Sequence, residues 1–226
     1  MDVAVIIPAI NEESRVGDAV SSAFAAGASD VILADGGSQD ETVAVAVRAG
    51  ARVVATHAGR AIQQNRGASG CQADVLLFLH ADCRLGESCC EQVRKSLQDS
   101  RVAGGSFRQS INAGGLRFRW LEWGNAWRAG FRQCPYGDQG LFVRRIVFEE
   151  IGGFEEVDLL EDLLLARAIK RQGRLCLLEG PLHVDARRWE SRGVLRQTLR
   201  NWWLLAAWRL GVPPNRLARY YRRHDQ

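Results

Sequence analysis

The chain has 226 residues, of which 46% are hydrophobic, and a formal net charge of +4. That length supports one substantial core and excludes two large domains. Six cysteines without a CxxC pair or regular spacing exclude a zinc finger and a disulfide framework, and imply buried thiols in a reducing cytoplasm. Val3–Ile7 follows Asp2 with no basic region or cleavage site before it, so nothing marks the chain for export, and no apolar run is long enough to span a bilayer. Its basic residues are Arg apart from Lys95 and Lys170, and guanidinium forks suit phosphate and carboxylate.

Four apolar, β-rich runs come first: Val3–Pro8, Asp30–Ala34, Arg52–Thr56 and Val75–Leu79. Helical patterns separate them at Ser14–Ala26, Glu41–Ala49 and Ala61–Cys71, with Ser38 and Glu41 at the spacing of a capping box. Strand and helix in alternation predict parallel strands, and strands this continuously apolar predict helices on both faces of the sheet. The fold class is therefore α/β with a doubly wound, mainly parallel sheet. A strand order of 3-2-1-4 puts Pro8–Glu13, Asp35 and His80–Asp82 at one crevice, beyond the carboxyl ends of the strands.

Beyond Asp82 the pattern is less regular. A helix near Cys89–Leu97, a strand near Val102–Phe107 and a Trp-containing helix over Leu116–Phe131 precede a loop at Cys134–Gln139 and a strand at Gly140–Val143. A helix follows from Glu161, and a helical tail over Gly193–Leu210 is broken at Pro213-Pro214. The expected organisation is one domain with a nucleotide-binding half (1–84), an acceptor-binding half (85–192) and a basic helical tail (193–226).

The apolar run Val75–Leu79 ends at His80-Ala81-Asp82, where a buried strand presents a catalytic or metal-binding carboxylate; a strand-ending turn is the plain alternative. Neither GxGxxG nor GxxxxGK[ST] is present, which argues against a dehydrogenase and a P-loop NTPase. The first strand ends Ile-Ile-Pro-Ala-Ile-Asn-Glu-Glu (6–13), also readable as an ordinary helix N-terminus. The second ends Ala-Asp-Gly-Gly-Ser-Gln-Asp (34–40), where Asp35 is either a base-binding acceptor or a turn residue. Arg60 and Arg66, in Gly59–Gly67, are cations able to meet a diphosphate or to stand in solvent.

Taken in order, IIPAINEE, ADGGSQDET, GRAIQQNRGA and LLFLHADC resemble the nucleotide-binding half of family 2 glycosyltransferases of the GT-A fold. Ile151-Gly-Gly-Phe-Glu-Glu156 and Leu160-Glu-Asp-Leu163 are similar to that family's GGF and ED motifs. Ala186-Arg187-Arg188-Trp189-Glu190 with Arg192-Gly193 looks like a short bacterial subgroup.

The resemblance implies a hexosyltransferase-type enzyme that moves a sugar from a nucleotide diphosphate sugar to a hydroxyl acceptor with inversion. It implies that Pro8, Ala9, Glu12 and Asp35 hold the nucleoside, that Arg60 and Arg66 lie near base or phosphates, and that Asp82 binds Mg²⁺ or Mn²⁺. His80 stands where the family commonly has a first Asp, which removes one oxygen ligand; His183 is the candidate additional ligand. Asp162, with Glu161 beside it, is the candidate general base, although carboxylates at a helix start also serve the dipole alone. Asp138, Gln139, Arg187 and Arg188 are the candidates for acceptor or sugar contacts.

Arginines at 188, 192, 196, 200, 209, 216, 219, 222 and 223 and four Trp, opposed only by Glu190 and Asp225, give the tail two readings. It lies peripherally in a membrane interface at the inner face, near a lipid-linked acceptor, or it packs on the body or on a second copy of the chain. No nucleic-acid fold pattern accompanies it. The alternatives to glycosyl transfer are a sugar-phosphate nucleotidyltransferase and a non-catalytic nucleotide-binding protein with a membrane- or RNA-binding tail.

Overall fold

The computed structural model describes residues 1–186 and 193–223. Strands β1 (Val3–Ala9), β2 (Asp30–Asp35), β3 (Arg52–Ala55) and β4 (Val75–Phe78) alternate with helices α1 (Val16–Ala25), α2 (Thr42–Arg48) and α3 (Arg60–Ala68). After them come β5 (Cys83–Leu85), α4 (Cys89–Ser96), β6 (Val102–Ile111), α5 (Leu116–Phe131), a 3-10 turn at Gly137–Gln139, β7 (Leu141–Arg144) and α6 (Arg145–Glu150). The chain continues through α7 (Glu161–Gln172), β8 (Arg174–Val184), α8 (Val194–Arg209) and α9 (Pro214–Arg223).

All eight strands join one sheet in the order β3-β2-β1-β4-β7-β6-β8-β5, so the expected 3-2-1-4 arrangement forms one side of it. Pairing is parallel through β3, β2, β1 and β4 and between β6 and β8; β7 is antiparallel to both its neighbours, and β5 to β8. The strand period of two sorts β1 onto two cores. Val3, Val5 and Ile7 pack in the cluster that contains α1 and α4, while Ala4 and Ile6 pack in the one that contains α3 and α7. Covering both faces is what removes the runs at 3–9 and 75–78 from water, at about 1.5–3 kcal/mol for each large side chain.

Three local features differ from expectation. Ser38 and Glu41 do not form a capping box: Ser38 Oγ is held by Asp35 and by the Asn11 N–H, and α2 starts one residue later, with Thr42 bonded to Asp40. The helix over 194–209 does stop before Pro213-Pro214, but the tail resumes in a second, unexpected helix, α9, whose first position Pro214 occupies, where its missing N–H costs nothing. Two strands, β5 and β8, were not expected. They matter for the site, since β5 runs directly out of the Asp82 turn and pairs with the end of β8.

Candidate active site

The ends of β1 and β2 are tied into one platform. Ala9 pairs with Asp35, and the two following loops interlock: Asn11 accepts from the Gln39 N–H (2.8 Å), Thr42 Oγ1 accepts from the Glu12 N–H (2.7 Å), and Glu13 accepts from the Glu41 N–H (3.0 Å). Asn11 takes a positive φ of 54° to do this, a conformation that Asn tolerates better than other side chains. Beneath them, the buried amide of Gln63 on α3 donates to the carbonyls of Ala9 and Ala34, both at 2.9 Å. Gln63 has no chemistry of its own in this arrangement; it fixes the separation of the two strand ends.

On this platform Asp35 is buried and accepts from the Gly37 N–H (3.0 Å), the Ser38 N–H and the Ser38 hydroxyl (2.5 Å). Its own loop therefore orients it. Glu12 binds Arg15 at 2.5 Å, and its carbonyl accepts the Arg15 and Val16 N–H groups at the start of α1. Pro8 and Ala9 lie at the carboxyl end of β1, as expected.

The turn His80-Ala81-Asp82 separates two cavities. His80 lines one of about 120 Å³ with Arg60, Gly137, Asp138, Glu161 and Asp162. Asp82 lines the other, about 380 Å³, together with Ser14, Arg15, Asp18, Asp185 and His183. His183 reaches it because β8 pairs with β5 in a register that sets His183 opposite Arg84.

In the first cavity the two acidic residues of α7 are in different states. Glu161 is only 3% exposed and pairs with Arg60 at 3.0 Å, across the gap between α3 and α7. Burial pushes its carboxyl above the usual range; Arg60 opposes this, and the neighbouring Asp162 charge adds to it. Asp162 is less buried, and its carboxylate accepts from the Gly137 N–H and the Leu163 N–H (2.8 Å). A Cβ on Gly137 would sit 3.0 Å from His80 Nε2 and 3.2 Å from Asp162 Oδ2, so the absence of a side chain is what lets this turn approach both.

Gln139, fully buried, accepts from the Tyr136 N–H (3.1 Å) and from Arg128 (3.0 Å). It shapes the turn that carries Gly137 and Asp138 and does not line either cavity. Arg66 is exposed in the last turn of α3, six residues and roughly 9 Å along the helix from Arg60. It lines neither of these two cavities. Arg187 and Arg188 lie outside the described residues.

Sequence reasoning missed three contributors. Gln63 is one. Asn65 is another: its amide donates to the Phe154 carbonyl (2.9 Å) and accepts from the Phe154 N–H (2.8 Å), which clamps the Gly-Gly-Phe loop onto α3. Gly153 must be glycine there, with φ 78° and an imagined Cβ 2.7 Å from Asn65 Oδ1. The third is α8, whose Asn201, Leu204 and Leu205 wall the Asp162 cavity. The one available signal was the run Gln63-Gln64-Asn65, three amides on a helix otherwise lined inward by Ala61, Gly67 and Ala68.

Among the described residues no group of three or more His, Cys, Asp or Glu side chains is placed to hold a metal ion. Of the Asp18, Asp82, Asp185 and His183 side chains that line the larger cavity, the Asp82 carboxylate and the His183 imidazole are the pair expected to meet a metal. Such a pair suits a divalent ion that takes its remaining ligands from diphosphate oxygens and water, as Mg²⁺ and Mn²⁺ do. Also among the described residues, no helix is long and apolar enough to cross a membrane.

The sequence model of glycosyl transferase family 2 matches residues 4–151. No curated protein matches the chain in sequence. Among solved structures, S. aureus TarS 1–349 is 14% identical with a TM-score of 0.63, over 82% of this chain and 61% of that one. TarS 1–349 in complex with UDP-GlcNAc matches with the same TM-score, 0.63, at 14% identity over 82% of this chain and 58% of that one. Glucosyl-3-phosphoglycerate synthase from Mycobacterium tuberculosis, in complex with Mn²⁺, uridine diphosphate and glucosyl-3-phosphoglycerate, is 19% identical with a TM-score of 0.59, over 81% and 70% of the two chains. At these identities the likeness is one of fold. The chain spans about three fifths of these two TarS 1–349 structures.

Proposed function

The chain belongs to glycosyl transferase family 2, and on that footing we propose that it transfers a hexosyl group from a nucleotide diphosphate sugar to a hydroxyl acceptor with inversion. The observation that carries the reading is Asp162. Its carboxylate is oriented by two backbone N–H groups in a cavity bounded by the His80–Asp82 turn at the end of β4. A carboxylate has about four lone-pair sites, so two donors leave room for an acceptor hydroxyl.

In this mechanism Asp162 removes the hydroxyl proton as the oxygen attacks the anomeric carbon, on the face opposite the departing diphosphate. Glu161 is the anchor of Arg60 rather than the base, because it is buried and already paired. Asp35 and the Pro8–Ala9 backbone receive the nucleoside on the platform that Gln63 holds together. Asp82 and His183 would hold Mg²⁺ or Mn²⁺, which when bound neutralises charge on the leaving diphosphate. Structural neighbours crystallised with uridine diphosphate or UDP-GlcNAc make a uridine nucleotide the first donor to test.

Peripheral membrane contact, one of the two readings of the tail, has a second candidate element. Leu116, Trp120, Trp123, Trp127 and Phe131 recur along one side of α5 and are 49–78% exposed. Arg117 and Arg132 stand exposed on or beside the same helix, a pairing of aromatic and cationic groups that suits an anionic lipid interface. Co-sedimentation with anionic vesicles that W120S/W127S abolishes supports this contact; equal sedimentation of the variant refutes it.

The transfer mechanism is tested with Asp162→Asn. Donor binding, followed by thermal shift with UDP and Mn²⁺, should persist, while sugar transfer falls at least about a hundredfold. Transfer at the wild-type rate would remove Asp162 as the base.

A further inference from the structure

The cavity that holds Asp162 borders a larger one of about 500 Å³, the two sharing Tyr136, Leu163 and Leu205 as lining. Five cations line the larger cavity, Arg128, Arg132, Arg167, Lys170 and Arg209, and among the described residues no carboxylate does. Among the described residues none of the five makes an ion pair. Elsewhere on the molecule arginines find acids: Arg52 with Asp30, Arg101 with Asp99, Arg108 with Glu179 and Arg145 with Glu149. An arginine-rich composition alone therefore does not account for five cations meeting without a counter-charge.

Three of the five are held in place by groups other than acids. Arg128 lies over the Tyr136 ring, 3.2 Å from its centroid, and donates to the Cys134 carbonyl. Arg167 lies over the Trp208 ring at 3.9 Å, and Lys170 donates to the Arg132 carbonyl at 3.1 Å. The side chains of Arg132 and Arg209 make no hydrogen bond among the described residues. Converging cations repel one another, and a bound anion relieves that repulsion; guanidinium forks bind phosphate in a bidentate way.

We propose that this cavity binds a phosphate group on the acceptor, whose hydroxyl then reaches Asp162 through the shared wall. The anion site stands on the cations alone; naming its occupant the acceptor rests on the glycosyl-transfer reading. Five cations match a phosphate dianion better than a single carboxylate. The phosphate belongs either to a soluble ester or to a lipid, for which Trp202 and Trp208 in the same cavity supply apolar wall.

The test is calorimetric titration of glycerol 3-phosphate into the full chain, with glycerol as the neutral control and UDP as competitor. Saturable binding of the phosphate but not of glycerol is expected, unaffected by UDP and weakened at least about tenfold in R132Q/R209Q. Both positions are exposed, so the double variant should keep the wild-type melting temperature; R167Q is a second variant with the same expected loss. A short-chain phosphatidic acid below its micelle concentration separates the sources: tighter binding than glycerol 3-phosphate supports a lipid phosphate, and equal binding supports a soluble one. No saturable binding, the same affinity in R132Q/R209Q, or displacement by UDP would overturn the proposal. Nucleoside diphosphate release from a nucleotide sugar is scored separately. Phosphate binding without release leaves the anion site and removes the transfer reading; release without phosphate binding does the reverse.

Discussion

Arg60→Met removes the ion pair that joins α3 to α7. Glu161 is 3% exposed, whereas Arg60 is 49% exposed, so the arginine loses little hydration in making the 3.0 Å contact and the carboxylate loses nearly all of its own. Removing one partner of a fully buried pair costs about 3–5 kcal/mol, and the half-exposed arginine discounts this to roughly 1–3 kcal/mol near neutral pH. The cost has a pH signature. Burial already raises the Glu161 pKa against the opposing Arg60 charge, and without Arg60 it rises further. Stability from a carboxyl with a raised folded pKa is present in full below its unfolded value, about 4.3, and is lost as pH rises through the folded one. The difference between wild type and variant should therefore be near zero at about pH 4 and grow with pH, by at most about 1.4 kcal/mol per unit, before levelling off. Asp162 and His80 face the same cavity in both proteins and cancel in the comparison to first order. Urea denaturation across this range measures it, and Glu161→Gln in the Arg60→Met background should remove the pH dependence. A difference that is constant with pH, or one that Glu161→Gln leaves in place, refutes the reasoning.

Gln63→Leu strips the carbonyls of Ala9 and Ala34 of a buried donor and should cost about 2 kcal/mol in urea unfolding, with weaker nucleotide binding; unchanged affinity would show that the strand-end spacing is set elsewhere. Gly104→Ala puts a Cβ 2.4 Å from the Phe142 carbonyl oxygen in the middle of the sheet, a backbone atom that cannot step aside, and should lower stability by about 3 kcal/mol or more. Burial pushes the thiols of Cys89 and Cys90 up to about 12 and about 11, so both should resist alkylation at pH 8 in the folded protein and react once it is unfolded; mass spectrometry after brief iodoacetamide treatment decides.

The half of the sheet with parallel neighbours was legible because burial on both faces leaves a continuous apolar string, as in Val75-Leu76-Leu77-Phe78. The other half was less so. β5 is three residues with an exposed arginine in the middle, and β8 is interrupted by Glu179-Gly180-Pro181, so neither carries a strand period. The candidate site residues at strand ends, Asp35 and Asp82, could be placed because the strands themselves could. Residues that act through long-range contacts could not: Ser38 looked like a local cap and instead serves Asp35 and Asn11, and Gln63 and Asn65 are set by carbonyls 29 and 89 positions away. The wall that α8 builds against Asp162 is tertiary in the same sense, since nothing in residues 194–209 announces which surface they cover.

The most direct test is nucleoside diphosphate release from UDP-, GDP- and dTDP-sugars with Mn²⁺, compared between wild type and Asp82→Asn. Release from one donor class by the wild type, abolished by chelation and by Asp82→Asn, is the expected result. Absence of release from every donor, or equal release by Asp82→Asn, would contradict the assignment of this strand-end carboxylate to the leaving diphosphate.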